Sequence, residues 1–187
     1  MTDPDDDIAR TLKIAETLRA HLAPLWQAYW DQWNGLHPLP SILSTHLCRE
    51  SSHAALRALE AAGHEGWQVQ AGAVSLFNYV DVPLDVTNLD GANEDDSIEE
   101  AAHTWLVNEA LGIRLDLTAD QFGQVDTVVI EPLDAGEDYI DLLDEVDWMD
   151  DPDISDVVDQ WTTGPSYDET VEVLKSLTPA QMVSLAL

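Results

Sequence analysis

Apolar residues near the start of the chain recur at intervals of three and four, the spacing of one face of an α-helix. They are Ile8, Leu12, Ala15, Leu18 and Leu22. A second helix is predicted after Pro24, and it carries a stripe of large apolar side chains. The stripe consists of Leu25, Trp26, Tyr29, Trp30 and Trp33. Because aromatic side chains at helical spacing usually belong to a core, we expect this stripe to pack against the rest of the protein rather than to bind a ligand.

A further helical run extends from His53 to Ala62 and stops at Gly63. Directly before it stands the segment Leu47-Cys48-Arg49-Glu50-Ser51-Ser52, which contains the single cysteine of the chain. The pattern therefore predicts that Cys48 lies at the N-terminus of a helix. One cysteine cannot form an internal disulfide, and nothing in the sequence indicates an oxidising compartment.

Downstream of Gly63 the sequence takes on the pattern of short β-strands. The predicted strands cover 67–72, 74–80, 103–107, 114–117 and 127–130. The polar stretch 81–100 is predicted to be a long loop, and loops of that length often serve a function. Short strands that follow one another with tight connections are typical of an antiparallel sheet, so the predicted fold class is α+β.

The last part of the chain is predicted to be partly helical, because Ser166 and Thr178 each begin a capping-box pattern. A chain of 187 residues can bury one sizeable core. We therefore expect an N-terminal helical segment, a central core that carries the chemistry, and an acidic helical C-terminal segment packed on that core. These three parts are residues 1–40, 41–133 and 134–187.

The charge of the chain is strongly negative, with 37 acidic residues against 7 basic ones and a formal net charge of −30. Such a surface repels phosphates, so direct binding to nucleic acid or to an anionic membrane is not expected. Two interpretations of the acidity stay open: solubility or adaptation to high salt, and recognition of a basic protein partner, including imitation of nucleic acid. The stretch 134–172 holds fifteen acidic residues and no Lys or Arg, so a recognition surface would be expected there.

Two further features bear on where the protein acts. The first residues, Met-Thr-Asp-Pro-Asp-Asp-Asp, lack the basic and apolar regions of a secretory signal. No stretch approaches the roughly 18 uncharged apolar residues of a membrane span. We expect a soluble, cytoplasmic protein.

The candidate chemistry lies at Cys48, His103 and Asp116. A thiol must ionise to attack a carbonyl, and the N–H groups and positive dipole end of a helix N-terminus stabilise the thiolate. A histidine can take the thiol proton and a carboxylate can orient its ring. Alternation places His103 and Trp105 on one face of a strand, and Asp116 fits a neighbouring antiparallel strand. One catalytic site without cofactor or metal is therefore expected.

Each of these residues has an alternative role. A lone cysteine is often a small buried hydrophobe, and a strand histidine is often a structural residue. Asp120 competes with Asp116 as the residue that orients His103, although Asp120 also suits a turn cap. The backbone N–H of Cys48 is the expected oxyanion donor, and the second donor stays open. The candidates for that second donor are Ser44, Thr45, His46 or another group.

Zinc binding is a further alternative that we do not favour. Its potential ligands would be His46, Cys48, His53 and His64. A His-x-Cys pair followed by widely separated histidines matches none of the compact zinc-ligand spacings. No acidic segment matches an EF-hand loop either, because none combines the ligand spacing with the central glycine.

The candidate residues stand in a recognisable order along the chain. Cys-x-x-Ser at Cys48 is followed by leucines on a helix, a glycine, a strand, and the His-x-Trp-Leu-Val motif at 103–107. The segment Leu-Asp-Leu-Thr-Ala-Asp-Gln-Phe at 115–122 comes next. This order resembles the transglutaminase-like branch of the papain-like cysteine enzymes over roughly Ser44 to Ile130, and is most similar to bacterial proteins that cleave leader peptides from lasso-peptide precursors and to related phage and bacterial domains.

The resemblance implies a papain-like core with Cys48 as nucleophile, His103 as general base and acid, and Asp116 as orienter. It implies a thiol hydrolase or acyl transferase acting on an amide bond of a peptide or protein substrate. Three features of the related enzymes are absent: tryptophan after the nucleophile, where Arg49 stands, the Asp-Cys-Ser pattern, and the glutamine that in papain precedes the cysteine and completes the oxyanion hole. The alternative is an acidic binding protein that keeps the fold and sequesters a basic partner.

Overall fold

The computed structural model describes residues 4–32, 40–75, 100–122, 128–134, 139–141 and 152–177. These residues contain four helices, which we number in chain order. They are α1 (Pro4–Gln32), α2 (Cys48–Ala61), α3 (Pro152–Trp161) and α4 (Pro165–Leu177). A short 3₁₀ helix, Ala119–Phe122, follows the third strand. None of the helices in the described part of the chain combines the length and apolarity needed to cross a membrane.

The prediction of two helices separated at Pro24 was wrong, because α1 continues through Pro24 to Gln32. Proline inside a helix removes one hydrogen bond and strains the preceding turn. Here Leu22 and Trp26, on either side of the proline, are both buried in the core, while Pro24 itself is exposed. Packing on both sides therefore holds the two halves of α1 in one line, which local helix propensity does not reveal.

The aromatic stripe of α1 belongs to the core, as predicted. Trp26 is buried, and Tyr29 and Trp30 pack against the same cluster. The indole N–H of Trp30 donates a 2.9 Å hydrogen bond to the carbonyl of Leu43. Trp33 lies outside the described residues.

The described strands form one antiparallel sheet of five strands in the order β4-β3-β2-β1-β5, which confirms the α+β class. The strands are β1 (Trp67–Ser75), β2 (Glu100–Asn108), β3 (Ile113–Asp116), β4 (Val129–Pro132) and β5 (Tyr139–Asp141). The predicted strands 67–72 and 74–80 correspond to one strand, β1, which is described as far as Ser75. Residues 76–80 of the predicted strand 74–80, residues 81–99 of the predicted loop 81–100 and the predicted helix start at Thr178 lie outside the described residues. Glu100, predicted as the end of the loop, is the first residue of β2.

The register of the sheet decides which side chains share a face. Leu106 pairs with Leu115 across β2 and β3, and both belong to the main core, which the four helices build with the sheet. Strand alternation then puts His103 and Asp116 on the opposite face. On that face Val74, Trp105, Val107 and Tyr139 form a second, smaller apolar cluster.

Candidate active site

Cys48 is the first residue of α2 and is partly exposed. Leu47 occupies the N-cap position and makes no side-chain hydrogen bond to the helix end. The first N–H groups of a helix have no intrahelical acceptor, and the leucine side chain at the cap cannot accept a hydrogen bond from them. The thiol at this end of α2 therefore lies in the positive field of the helix N-terminus. This position agrees with the expectation that the thiol lies in the first helical turn.

Two hydrogen bonds fix the first turns of α2. Ser52 Oγ donates to the carbonyl of Thr104 at 3.1 Å, and the indole N–H of Trp26 donates to Ser51 Oγ at 2.9 Å. The first turns of α2 are therefore tied to α1 through the Trp26 side chain and to β2 through the backbone of Thr104. Since Thr104 directly follows His103, the bond from Ser52 sets the position of the thiol relative to the imidazole.

His103 is wholly buried on β2, and its Nε2 lies 2.6 Å from Asp116 Oδ2. Burial disfavours the charged imidazole, but the charge of Asp116 and its hydrogen bond, together with a hydrogen bond and the charge of Cys48, raise the pKa of His103 to about 10. Cys48 therefore lies near enough to His103 to influence the protonation of the ring. Since Nε2 is bonded to the carboxylate, Nδ1 is the ring nitrogen that can accept a proton from the thiol.

Asp116 is also wholly buried and accepts four hydrogen bonds. Besides His103, the donors are the backbone N–H of Thr118 at 2.8 Å, the hydroxyl of Thr118 at 3.1 Å and the hydroxyl of Tyr139 at 2.8 Å. Burial alone would raise the pKa of Asp116, but the charge and hydrogen bond of His103 and the bonds from Thr118 and Tyr139 lower it. The carboxylate is therefore held ionised.

An aromatic and cationic layer lies beside the imidazole. The ring centroids of His103 and Trp105 are 5.9 Å apart, and those of Trp105 and Tyr139 are 5.0 Å apart in an edge-to-face arrangement. The guanidinium of Arg114 lies 4.4 Å from the Tyr139 ring and is held by Glu131 at 2.6 Å. These contacts keep water from the His103–Asp116 pair and restrict rotation of the imidazole.

Asp120 has partners other than His103. Its carboxylate forms an ion pair with Arg19 and accepts a 2.5 Å hydrogen bond from Ser44 Oγ. Arg19 also donates to the carbonyl of Leu117 at 2.5 Å. Asp120 thus joins α1, the turn that precedes Cys48 and the segment that follows Asp116. Of the two acidic residues considered from sequence, the structure brings Asp116 to His103.

The turn before Cys48 has an unusual backbone. His46 has a φ of 61°, in the left-handed region that costs a non-glycine residue about 1–2 kcal/mol. The turn is closed by a 3.0 Å hydrogen bond from the N–H of Leu47 to the carbonyl of Ser44. The N–H of His46 donates to Gln121 Oε1 at 3.3 Å. The surrounding contacts thus maintain a strained connection directly before the thiol.

Two residues of the site escaped the sequence analysis. Tyr139 lies in a segment whose strong acidity hides any strand pattern, and its contact with Asp116 depends on β5 pairing with β1. Gln121 lies within the quoted Thr-Ala-Asp-Gln-Phe segment, but nothing local indicates that its amide turns toward His103. Its Nε2 lies 3.3 Å from His103 Nδ1.

The histidines considered as zinc ligands have other surroundings. His46 is exposed, and the Nε2 atom of His64 lies 2.8 Å from the carbonyl of Leu174. Burial and the nearby charges of Arg49 and Arg57 lower the pKa of His53. Among the described residues, no three His, Cys, Asp or Glu side chains are grouped so as to hold a metal ion.

The chain was compared with protein-family models, curated proteins and solved structures. None of the three comparisons found a match.

Proposed function

We propose that the protein is a thiol hydrolase or acyl transferase that acts on an amide bond through Cys48, His103 and Asp116. The observation that carries this proposal is the buried His103 imidazole, which bonds to Asp116 at 2.6 Å and whose protonation is influenced by the thiol at the start of α2. A nucleophile, a base in contact with it and a carboxylate that orients the base are the parts that acyl transfer requires.

The proposed reaction begins with the Cys48 thiolate beside the His103 imidazolium. The sulfur attacks the amide carbon, a C–S bond forms, and the carbonyl electron pair moves to oxygen. As the C–N bond breaks, the imidazolium transfers its Nδ1 proton to the leaving amine. Water or a second amine then attacks the thioester while His103 takes its proton, and the thiolate leaves. Asp116 remains ionised and stabilises the imidazolium throughout.

We further propose that the described core belongs to the transglutaminase-like branch of the papain-like fold. A helix that begins at the cysteine, a packed antiparallel sheet, and the His and Asp on neighbouring strands support this proposal. A peptide bond and a glutamine side chain both fit the proposed chemistry. The products distinguish the two substrates. Attack on a peptide bond cleaves the chain, whereas attack on a glutamine side chain releases ammonia and leaves the chain intact.

Acetylation by p-nitrophenyl acetate tests the function without the natural substrate. This ester should acetylate Cys48 of the wild-type protein, as seen by intact mass and peptide mapping, and Cys48→Ser should abolish the adduct. The variant His103→Gln should slow acetylation by about 10²–10⁴-fold, the usual contribution of a general base. His46→Asn is the matched control, because His46 is exposed and Asn tolerates its left-handed backbone. A rate that His103→Gln does not change would overturn the proposal.

A second candidate function is capture of a basic protein by the acidic surface. The observation that favours it is the exposure of Asp156, Asp159, Asp168, Glu169 and Glu172 on α3 and α4, whose only basic residue is Lys175. Of these acidic residues, Asp159 also forms an ion pair with Arg57. Retention on immobilised polylysine should weaken as salt rises past the screening range. Changing these acidic residues to Asn and Gln should weaken it further if they form the surface. Equal retention of this variant and the wild type at every salt concentration would exclude that surface.

A further inference from the structure

Gln121 links the turn before Cys48 to the imidazole of His103. Its Oε1 accepts a 3.3 Å hydrogen bond from the N–H of His46, and its Nε2 donates to the carbonyl of Thr118 at 3.0 Å. The same Nε2 lies 3.3 Å from His103 Nδ1. The side chain is partly buried, so it reaches the imidazole from the wall of the site.

The neighbours of Gln121 determine which end of its amide faces the imidazole. A backbone N–H needs an acceptor and a backbone carbonyl needs a donor, so His46 and Thr118 require the oxygen and the nitrogen where they are found. One N–H of Gln121 is therefore bonded to Thr118, and the second points to His103 Nδ1. That ring nitrogen is the one that exchanges a proton with Cys48.

The second N–H of Gln121 can bond to the ring only while Nδ1 has a free lone pair. Once Nδ1 carries a proton, both groups are donors, and the N–H of Gln121 needs another acceptor. In the tetrahedral intermediate the imidazole is protonated, and a negatively charged oxygen stands next to the sulfur of Cys48. In the proposed reaction Nδ1 already carries this proton when the sulfur attacks, so the N–H of Gln121 is not bonded to the ring at that step. The oxyanion then gives this N–H an acceptor.

We propose that Nε2–H of Gln121 is the second oxyanion donor of the site and acts together with the backbone N–H of Cys48. This inference rests on the proposed acyl-transfer function. A donor that is held in place before reaction and bonds the oxyanion more strongly than the ground-state carbonyl accelerates acyl transfer. Gln121 would then be a catalytic residue that comes from the segment after Asp116.

Three polar groups of the other candidate residues are already engaged. The N–H of Thr45 donates to the carbonyl of Ile42 at 3.2 Å, and the N–H of His46 donates to Gln121 Oε1. The hydroxyl of Ser44 is buried and donates to Asp120. Each of these groups would have to break a contact that holds the turn before Cys48, whereas Gln121 gives up only its contact with the ring.

Two reactions of the same thiol separate oxyanion stabilisation from nucleophile formation. Acetylation by p-nitrophenyl acetate passes through a tetrahedral oxyanion, whereas alkylation by iodoacetamide is a direct displacement and forms none. The variant Gln121→Met keeps the length of the side chain without its donor, and Gln121→Glu keeps its shape. Gln160→Ala is the matched control, since Gln160 is exposed on α3. Circular dichroism and thermal unfolding check that each variant is folded.

We expect Gln121→Met to slow acetylation of Cys48 by about 10²–10³-fold, the usual effect of losing one oxyanion donor, and to change alkylation by less than about threefold. Gln160→Ala should change neither rate. Equal losses in both reactions would show that Gln121 only positions the nucleophile, and unchanged acetylation would show that it has no role; either result overturns the inference while leaving the proposed function intact. If Gln121→Met does not fold, Gln121→Glu decides by the same comparison. Failure of the wild-type protein to acetylate at Cys48 overturns both the inference and the function.

Discussion

His103 and Asp116 lie thirteen residues apart in the chain and are joined by a 2.6 Å hydrogen bond between two wholly buried side chains. The pair is placed by the antiparallel register of β2 and β3, in which Leu106 faces Leu115. A buried ion pair is stable only when its remaining polar atoms are bonded, and Thr118 and Tyr139 supply such bonds to Asp116. The pairing makes the stability of the protein depend on pH.

The raised pKa of His103 should make stability fall with rising pH. Unfolded histidine loses its proton near its ordinary pKa of 6.5, whereas folded His103 keeps it up to about 10. Its contribution is therefore complete below about pH 6.5, declines above that and is lost as the pH passes about 10. Asp116 affects stability at acidic pH. Because its pKa is lowered from 3.8, its contribution to the free energy of unfolding is present above about pH 4 and is lost in acid.

Urea unfolding at pH 6, 8 and 10 measures this effect. The wild-type protein should lose stability across the series, and His103→Gln should lose much less, because it lacks the group that titrates. His46→Asn should follow the wild type. Parallel losses in wild type and His103→Gln would show that other groups cause the alkaline effect.

The reaction of Cys48 with iodoacetamide should depend on His103. A helix N-terminus and a neighbouring imidazolium both favour the thiolate, which is the form that iodoacetamide alkylates. Labelling of Cys48 should therefore persist at about pH 6 and fall when His103→Ala removes the partner. A common midpoint near about pH 8.5 for both proteins would instead favour a structural, buried cysteine.

Asp116 and Asp120 should affect the chemistry differently. Asp116→Asn should slow acetylation of Cys48 on the order of 10³-fold or more, because the ring loses the carboxylate that fixes its tautomer and supports its charge. Asp120→Asn weakens contacts with Arg19 and Ser44 and should act mainly on thermal stability. Single-turnover acetylation together with thermal unfolding checks both. Larger rate losses in Asp120→Asn than in Asp116→Asn would reverse the assignment.

The hydroxyl of Tyr139 should matter more than an ordinary tyrosine hydroxyl, because it donates to the buried Asp116 carboxylate at 2.8 Å. Tyr139→Phe should lower the free energy of unfolding by about 1.5–3 kcal/mol, the range for a hydrogen bond to a charged group. Tyr167→Phe is the matched control, since its hydroxyl donates to the neutral carbonyl of Arg57 at an exposed site. Tyr167→Phe should lower the free energy of unfolding by less than about 1.5 kcal/mol, as measured for both variants by chemical denaturation. Equal losses in the two variants would contradict the role of Tyr139.

The net charge of −30 should make the folded protein sensitive to salt. Repulsion among acidic groups destabilises a compact state, and salt screens it. The thermal midpoint should therefore rise between low and moderate sodium chloride. Changing Asp156, Asp168 and Glu169 to the corresponding amides should reduce this rise without changing the rate of Cys48 alkylation. A thermal midpoint that is independent of salt would exclude repulsion as a significant destabilising term.

Local patterns in the sequence were sufficient for the helix that carries Cys48, the strands of His103 and Asp116, and the core position of Trp26. Each depends on neighbours within a few residues: the apolar spacing of a helix, the alternation of a strand, and a glycine after Ala62. The continuous α1 could not be predicted in this way. The contacts that hold it across Pro24 come from residues distant in the chain, and their packing outweighs the local cost of proline.

The sequence by itself determined the residue types of the candidate site and their order along the chain. Only the tertiary structure decided that Asp116 bonds to His103 while Asp120 pairs with Arg19, because β3 ends at Asp116 and Asp120 lies in the 3₁₀ helix that follows. It also brought Tyr139 and Gln121 to the site, through the pairing of β5 with β1 and through contacts with His46 and Thr118. The physical reason is that the polar groups of a buried ion pair must all find partners, and those partners come from whichever segments the fold brings into reach.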